Sequence, residues 1–260
     1  MFGRVDRSRR SSQRVLAWVG LLLMVLAFAW LQLSSPIIRP PADIPTPRVE
    51  GPFTLVVLDP GHGGQDSGTI QAGMLEKELA LDVAHRVERL LQSQGVTTLL
   101  TRADDTYVSL ADRAAFANAQ RHCVFISIHF NAARPKATGV ETYYAAHQVS
   151  LWPFLQPTSL ESLNVESQSL ASFIQEALVT HTQAVNRGTS TQQFFVIANV
   201  RHPAVLVEGG FLTNADEMNK LGTDDYREQI AAAISDGVIR YREGLQQQQT
   251  PLVVNLPDGK

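Results

Sequence analysis

Three short apolar runs of this chain each lead to one reactive side chain. LVVLD, residues 55 to 59, passes through Pro60 and Gly61 to His62; VFISI, residues 124 to 128, leads to His129; and AVLV, residues 204 to 207, leads to Glu208. Runs of this length, rich in Val, Ile and Leu, read as buried strands. If those strands are parallel, their carboxyl ends share one rim, and residues far apart in the sequence meet there. Glu76 is a fourth candidate, at the start of the helix that follows the His62 loop. Two histidines with one carboxylate are a zinc-like donor set that leaves a fourth position for water, the open coordination of a catalytic site. Zinc in such a site lowers the pKa of water towards neutrality and polarises a carbonyl. The loop is not a phosphate cradle, because GHGG lacks the Lys-Ser/Thr pair that contacts phosphate and magnesium.

Each candidate has a plainer reading. His62 stands between glycines, which offer no packing reason for it. His129 closes an apolar strand and alone reads equally well as a satisfied core histidine; it gains from His62. Glu208 lies directly after AVLV and before Gly209 and Gly210, where a carboxylate is poorly solvated and needs a reason to be present. Glu76 reads by itself as a helix-start carboxylate favoured by the dipole, and Glu78 fits a ligand role almost as well. His85, His122, His147, His181 and His202 fall on polar helix faces or in loops, and only His202, just ahead of the strand to Glu208, retains a minor claim. Cys123, beside Val124, Phe125 and Ile126, reads as a small core residue. As the sole cysteine it excludes an internal disulfide and a cysteine-based zinc site.

The elements that must position these residues alternate. From Phe53 onward the pattern predicts a layered α/β domain. Glu76 to Gly95 reads as a helix with Leu79, Val83, Val87, Leu90 and Leu91 on one face and Gly95 as its stop. Thr97 to Thr101 is a short strand, and Ser109 with Asp112 caps a helix through Gln120. Val124 to His129, Val140 to Ala145, Phe194 to Ala198 and Ala204 to Glu208 read as strands. Residues 146 to 166 lack a period and contain Pro153 and Pro157, the pattern of a surface loop or lid. Ser167 to Thr182 has a helical core face, and a last helix spans roughly Tyr226 to Leu245, followed by a frayed polar tail, residues 246 to 260.

Ahead of the domain, Arg4, Arg7, Arg9, Arg10 and Arg14 precede a charge-free run from Val15 to Leu33. Its length approaches the ~20 residues that span a bilayer, and the arginines predict a cytoplasmic N-terminus. Residues 1 to 35 therefore read as a basic tail with a transmembrane anchor, or as a signal peptide cut after Ala27-Phe28-Ala29. The continuing run through Trp30, Leu31 and Leu33 favours the anchor. Residues 36 to 52 hold six prolines and read as an extended spacer. The domain at 53 to 245 then lies on the periplasmic or extracytoplasmic side. The net charge of −3 conceals an acidic body: residues 1 to 52 carry seven arginines against three acids, leaving 15 basic and 22 acidic residues, or −7, afterwards. That balance argues against a nucleic-acid partner.

Taken in order, LDPGHGG, LEKELAL, SLADR, FISIHFNA, GVETYY, NRGT and PAVLVEGGFLTN resemble the zinc-dependent N-acetylmuramoyl-L-alanine amidases that cut bacterial peptidoglycan. The resemblance runs from about Leu55 to the helix ending near Leu245. It implies a single three-layer α/β domain with a twisted, mainly parallel sheet between helices. It further implies one zinc ion held by His62, Glu76 and His129, with Glu208 as the catalytic glutamate. The activity implied is hydrolysis of the amide joining the lactyl group of N-acetylmuramic acid to L-alanine, in wall remodelling or cell separation. Asn131 and Arg187, polar residues beside motifs, become candidate substrate contacts, and Asp59 a supporting neighbour. Some relatives carry a helix before the NRGT segment that blocks the site until a partner removes it. Here that region is short and proline-containing, which implies weaker self-inhibition or a different lid; the identity of any activator stays open. No wall-binding repeat domain is visible, so targeting falls to the membrane segment. A zinc carboxypeptidase acting on stem peptides and a non-catalytic muropeptide-binding module are the alternatives.

Overall fold

The computed structural model describes residues 53–146 and 158–249. The expected membrane segment at 1 to 35, the spacer at 36 to 52, His147, residues 147 to 157 of the expected loop and the tail from 250 lie outside the described residues. Among the described residues no helix is long and apolar enough to cross a membrane.

The three apolar runs form the centre of one six-stranded sheet. In chain order its strands are β1 (Leu55–Pro60), β4 (Thr97–Leu100), β5 (Cys123–Asn131), β6 (Val140–Tyr144), β7 (Asn186–Thr191) and β8 (Ala204–Phe211), and across the sheet the order is β4-β1-β5-β8-β6-β7. β4, β1, β5 and β8 are mutually parallel, whereas β6 pairs antiparallel with β8 and parallel with β7. A separate two-stranded ribbon, β2 (Ile70–Gln71) and β3 (Met74–Leu75), follows the His62 loop. The sheet is thus mainly parallel and mixed, as expected.

Alternation along the strands divides the core in two. Val56, Leu58, Val124, Ile126, Ile128, Val205 and Val207 face one side, where α1 (Glu76–Ser93), α3 (Thr158–Thr182) and α6 (Asp224–Gln249) cover them. Val57, Cys123, Phe125, Ala204 and Leu206 face the other, where α2 (Leu110–Asn118) and α4 (Phe195–Ala198) supply only Ala114, Ala117, Val196 and Ile197 as buried apolar partners. Three long helices shield one face completely, while two short ones leave the carboxyl-terminal part of the other open. α5 (Ala215–Leu221) completes the helices.

Several boundaries differ from those read in the sequence. Phe194 to Ala198 is not a strand: one helical turn, α4, turns Val196 and Ile197 into the smaller core cluster, a short apolar run whose period could not separate helix from strand. The helix expected from Ser167 begins at Thr158, so residues 158 to 166 are not loop. Its core face continues backwards through Leu163, but the polar Ser167 interrupts the apolar pattern; Ser167 is buried because its hydroxyl accepts the Ala204 amide at 3.1 Å. Gln246 to Gln249 extend α6 rather than fray, in keeping with the helix propensity of glutamine. The edge strand β7, with no buried residue, and α5, begun by an Asn214 cap on the Asp216 and Glu217 amides, carry no apolar run and escaped periodicity.

Cys123 is 2% exposed, and burial pushes its thiol up to about 12. A raised thiol pKa leaves on the order of one thiolate in 10⁴ at pH 8. Iodoacetamide at that pH will leave the native chain unlabelled and label it fully in guanidinium; rapid native labelling would contradict a core position. Gly237 on α6 lies where an added Cβ would sit 2.6 Å from Ile174 Cα on α3. Alanine gains up to ~1 kcal/mol of helix propensity, but forcing two backbones apart costs about 1–3 kcal/mol. Gly237→Ala will therefore lower the urea midpoint, and a raised midpoint would show that the helices can separate freely.

Candidate metal centre

Strand parity places the candidates before any side-chain detail is considered. His129 and Glu208 have the parity of Phe125 and Leu206, so both point to the thinly covered face, near the carboxyl ends of β5 and β8. They are register partners in the parallel ladder, and Glu141 of β6 is the register partner of Glu208 on its other side. One row therefore runs His129, Glu208, Glu141. At the position next to His129 on the β1 side stands Gly61, whose amide continues the ladder to Ile128 O at 3.0 Å. A Cβ there would lie 2.3 Å from the His129 ring, so a glycine is what allows the imidazole into the row.

His62 follows in the left-handed region, φ 59°, uncommon for a residue with a Cβ. Such a backbone cannot continue the sheet, so its carbonyls need other donors. Two buried arginines supply them. Arg113 donates from Nη1 to Pro60 O at 2.6 Å and from Nη2 to His62 O at 2.5 Å. Arg102 donates from Nε to Pro60 O at 3.0 Å and from Nη2 to Gly61 O at 2.7 Å and Lys77 O at 2.8 Å. Asp59, 1% exposed, balances this charge: it accepts Arg113 Nη1 at 2.7 Å, Thr101 Oγ1 at 2.6 Å and Ser127 Oγ at 2.7 Å. Burial, followed by the Arg113 charge, lowers the Arg102 pKa. Lys77 adds an outer clamp, donating to Gly64 O at 2.9 Å and Asp105 Oδ2 at 2.7 Å, while Asp105 Oδ1 accepts the Gly64 amide.

Glu76 enters from the start of α1, whose first amides bond to Thr69 O and Ser67 O of the loop rather than to a side-chain cap. The residue is 4% exposed, whereas Glu78, two positions on, is exposed and turned away. Glu76 Oε1 lies 3.0 Å from His62 Nε2 and 3.0 Å from His129 Nδ1, and accepts the Phe130 amide at 3.2 Å; Oε2 accepts the Thr69 amide at 2.9 Å. The two imidazoles meet edge to face, 4.9 Å between centroids. Burial acts to raise the Glu76 pKa, but the hydrogen bonds and charges of His129 and His62 outweigh it and hold the carboxyl far below its ordinary value. Desolvation acts to lower the His62 pKa, yet Glu76 and Asp66 carry it upward. Asp66 Oδ2 is 2.9 Å from His62 Nδ1, a carboxylate fixing the ring nitrogen that faces away from Glu76.

One donor atom from each of His62, Glu76 and His129 lies within 4.8 Å of the others, the sole such cluster among the described residues. A tetrahedral ion with bonds of about 2.0–2.1 Å keeps its ligand atoms about 3.3 Å apart. The 3.0 Å separations are close to that, and two imidazoles with one carboxylate are a donor set suited to zinc. Beside them Glu208 Oε2 is buried with no hydrogen-bond partner among the described residues. Burial, then the charges of Glu76 and Glu141, push the Glu208 carboxyl well above the ordinary range.

Of the other sequence candidates, Asn131 and Arg187 are brought together by a residue that sequence reasoning passed over. Glu141 Oε1 accepts Asn131 Nδ2 at 2.8 Å, and Oε2 accepts Arg187 Nε at 3.1 Å. Glu141 was visible only as a polar letter in GVETYY; an acid in a buried run was its one signal. Arg102 and Arg113 were also missed, although an arginine directly after a strand and another in SLADR could have been noted as donors for a carbonyl-rich loop. His202 lies just before β8, at the opposite end of that strand from Glu208, and burial lowers its pKa. The paired glycines after Glu208 form a bulge: β8 advances from Glu208 to Phe211 while β5 advances from His129 to Asn131, with Gly210 at φ 146°.

The chain is similar to known proteins over most of the described domain. A family model described as N-acetylmuramoyl-L-alanine amidase matches residues 56–240. The chain is 39% identical over 187 residues to the N-acetylmuramoyl-L-alanine amidase LytC of Bacillus subtilis (strain 168), which covers 72% of this chain but 35% of that longer protein. It is 31% identical over 232 residues to the N-acetylmuramoyl-L-alanine amidase AmiA of Escherichia coli (strain K12), covering 76% of this chain and 79% of that one. Among solved structures, an N-acetylmuramoyl-L-alanine amidase from Clostridium difficile 630 superimposes with a TM-score of 0.64 at 35% identity, covering 74% of this chain and 97% of the other.

The loop clamp makes its own prediction. Arg113→Met strands the Asp59 carboxylate in the core and removes donors from two carbonyls, which costs about 3–5 kcal/mol. Urea unfolding of the variant should show a loss of that size, and Asp59→Asn combined with Arg113→Met should recover part of it. A loss below ~1 kcal/mol would mean that the loop is held by other contacts.

Proposed function

The chain belongs to the N-acetylmuramoyl-L-alanine amidase family, and from that premise we propose that it hydrolyses the amide between the lactyl group of N-acetylmuramic acid and L-alanine in bacterial peptidoglycan. The observation that carries this reading is the meeting of His62, Glu76 and His129 beside a buried, unpartnered Glu208 oxygen. His62, Glu76 and His129 would hold one zinc ion, with Asp66 orienting His62 through Nδ1. When bound, zinc lowers the pKa of water at its open position and polarises the scissile carbonyl. Glu208 takes the proton of the attacking water on its carboxylate. Its raised proton affinity suits it to that role. The new C–O bond forms at the lactyl carbonyl, Glu208 passes the proton to the L-alanine nitrogen, and the C–N bond breaks. The products are a glycan bearing a lactyl carboxylate and a stem peptide with a free L-alanine amino terminus.

The sequence ahead of the domain supports a location for this activity. The basic tail and apolar segment at 1 to 35 would hold or export the domain to the extracytoplasmic face of the cytoplasmic membrane, and the prolines of 36 to 52 would carry the catalytic domain, 53 to 245, towards the wall.

Purified chain should carry one zinc per molecule and release intact stem peptides, identified by mass, from peptidoglycan; dipicolinate should abolish release and added zinc restore it. Glu208→Gln should keep the zinc and lower kcat by about 10²–10⁴-fold. Cleavage that survives chelation would overturn the metal assignment, full turnover in Glu208→Gln would overturn the proton carrier, and release of single amino acids would indicate a carboxypeptidase.

A further inference from the structure

The row that carries Glu208 does not end there. Glu141, its register partner on β6, has a side chain only 11% exposed, on the same face of the sheet. It accepts from two donors, Asn131 Nδ2 and Arg187 Nε. Placing a buried carboxylate beside Glu208 is electrostatically costly. The two donors offset that cost, and one of them is held in a specific posture.

Arg187 lies on β7 where the pairing slips. β6 advances two residues from Val140 to Thr142 while β7 advances three from Asn186 to Thr189, so Arg187 and Gly188 share the place opposite Glu141. A bulge of this kind re-aims a side chain. With Nε bonded to Glu141, the guanidinium Cζ stands 4.9 Å from the centre of the Phe211 ring. Both Nη groups are left without a hydrogen bond to any described residue, and 38% of the side chain remains open. Phe211 is itself fixed, because its amide donates to the buried Glu217 Oε2 at 2.6 Å. The result is a planar, pre-oriented donor fork two strands from Glu208, roughly 10 Å at the usual strand spacing. A fork of this shape matches a carboxylate.

The chemistry of the proposed substrate limits where that carboxylate can be. The muramic acid carboxyl is consumed in the scissile amide, so the glycan side offers no anion near the bond. On the peptide side, a second residue that is glutamate joined through its γ-carboxyl has a free α-carboxylate. Two extended residues reach roughly 7 Å, and the arginine side chain spans the remainder. Resting on the amidase reading of Glu208, we propose that Arg187 is a specificity-determining residue that receives the α-carboxylate of the second stem-peptide residue. Glu141 is the positioning residue that aims it.

The test uses two muramoyl tetrapeptides that differ only in bearing an α-carboxylate or an α-carboxamide on the second residue. Wild type should favour the carboxylate in kcat/KM by about tenfold, mainly through KM, as loss of one charge-assisted pair implies. Arg187→Gln should reduce that preference below about threefold, and Glu141→Gln should reduce it as well by raising KM for the carboxylate substrate. Arg134→Gln, at an exposed arginine outside the row, should keep the wild-type preference. The variants are compared at matched zinc content and melting temperature; if Glu141→Gln fails to fold, Glu141→Asp, which keeps the charge but shortens the reach, gives the same reading. A wild type indifferent to the α-group, or an Arg187→Gln chain as selective as wild type, would overturn the receiver. Unchanged selectivity in the Glu141 variant would overturn the positioning role. Cleavage of neither substrate by wild type would overturn the amidase reading and this inference with it.

Discussion

The structure depends first on how a turn with no secondary-structure partner is held rigid inside the protein. His62 sits in a left-handed backbone, and the carbonyls from Pro60 to His62 cannot be satisfied by a neighbouring strand or by a helix. A guanidinium offers five donors in a fixed plane, which suits a group of carbonyls. Arg102 and Arg113 use theirs in this way, and Asp59 makes the burial of Arg113 tolerable. Thr101 and Ser127 complete the Asp59 shell from the strands on either side. The imidazole of His62 is thereby aimed by the core of the domain, not by the flexibility of a glycine loop.

The rest of the site follows from unequal cover. Alternation sends Leu58, Ile128 and Val207 beneath three long helices and sends Asp59, His129 and Glu208 to the other face. There α2 and α4 are too short to reach the strand ends. Asp59 is enclosed there, while His129 and Glu208, nearest the strand ends, stay only partly buried. Gly61 belongs to the same row and contributes by having no side chain where the His129 ring must lie.

Around that row the carboxylates are treated differently by their neighbours. Glu76 is bonded to two imidazoles and two amides and is held as an anion; Glu208 has no partner for Oε2 among the described residues and is pushed towards its protonated form; Glu141 is held by two donors. Three acids of similar intrinsic strength thus acquire three characters: an anion between two imidazoles, a carboxyl of raised proton affinity and an anchor for an arginine. The difference lies in what stands within hydrogen-bond reach of each oxygen.

The sequence by itself determined the central strands, the side to which each residue points and three of the residues, His62, His129 and Glu208, that meet at the rim. Hydrophobic run length and two-residue alternation are local properties, and parallel pairing turns them into a shared edge. It also indicated the capped helix at Ser109 and the stop at Gly95, since capping and left-handed glycine are short-range chemistry. Elements without an apolar run were beyond that reading: the polar edge strand β7, the helix turns before Ser167 and the single turn at Phe195 are stabilised by contacts from distant parts of the chain. Only the tertiary structure decided between Glu76 and Glu78, disclosed Arg102, Arg113 and Glu141 as partners of the site, and joined Asn131 to Arg187. Each of those relations is a hydrogen bond or a burial between residues whose spacing in the chain carries no period, so it exists only once the sheet has assembled.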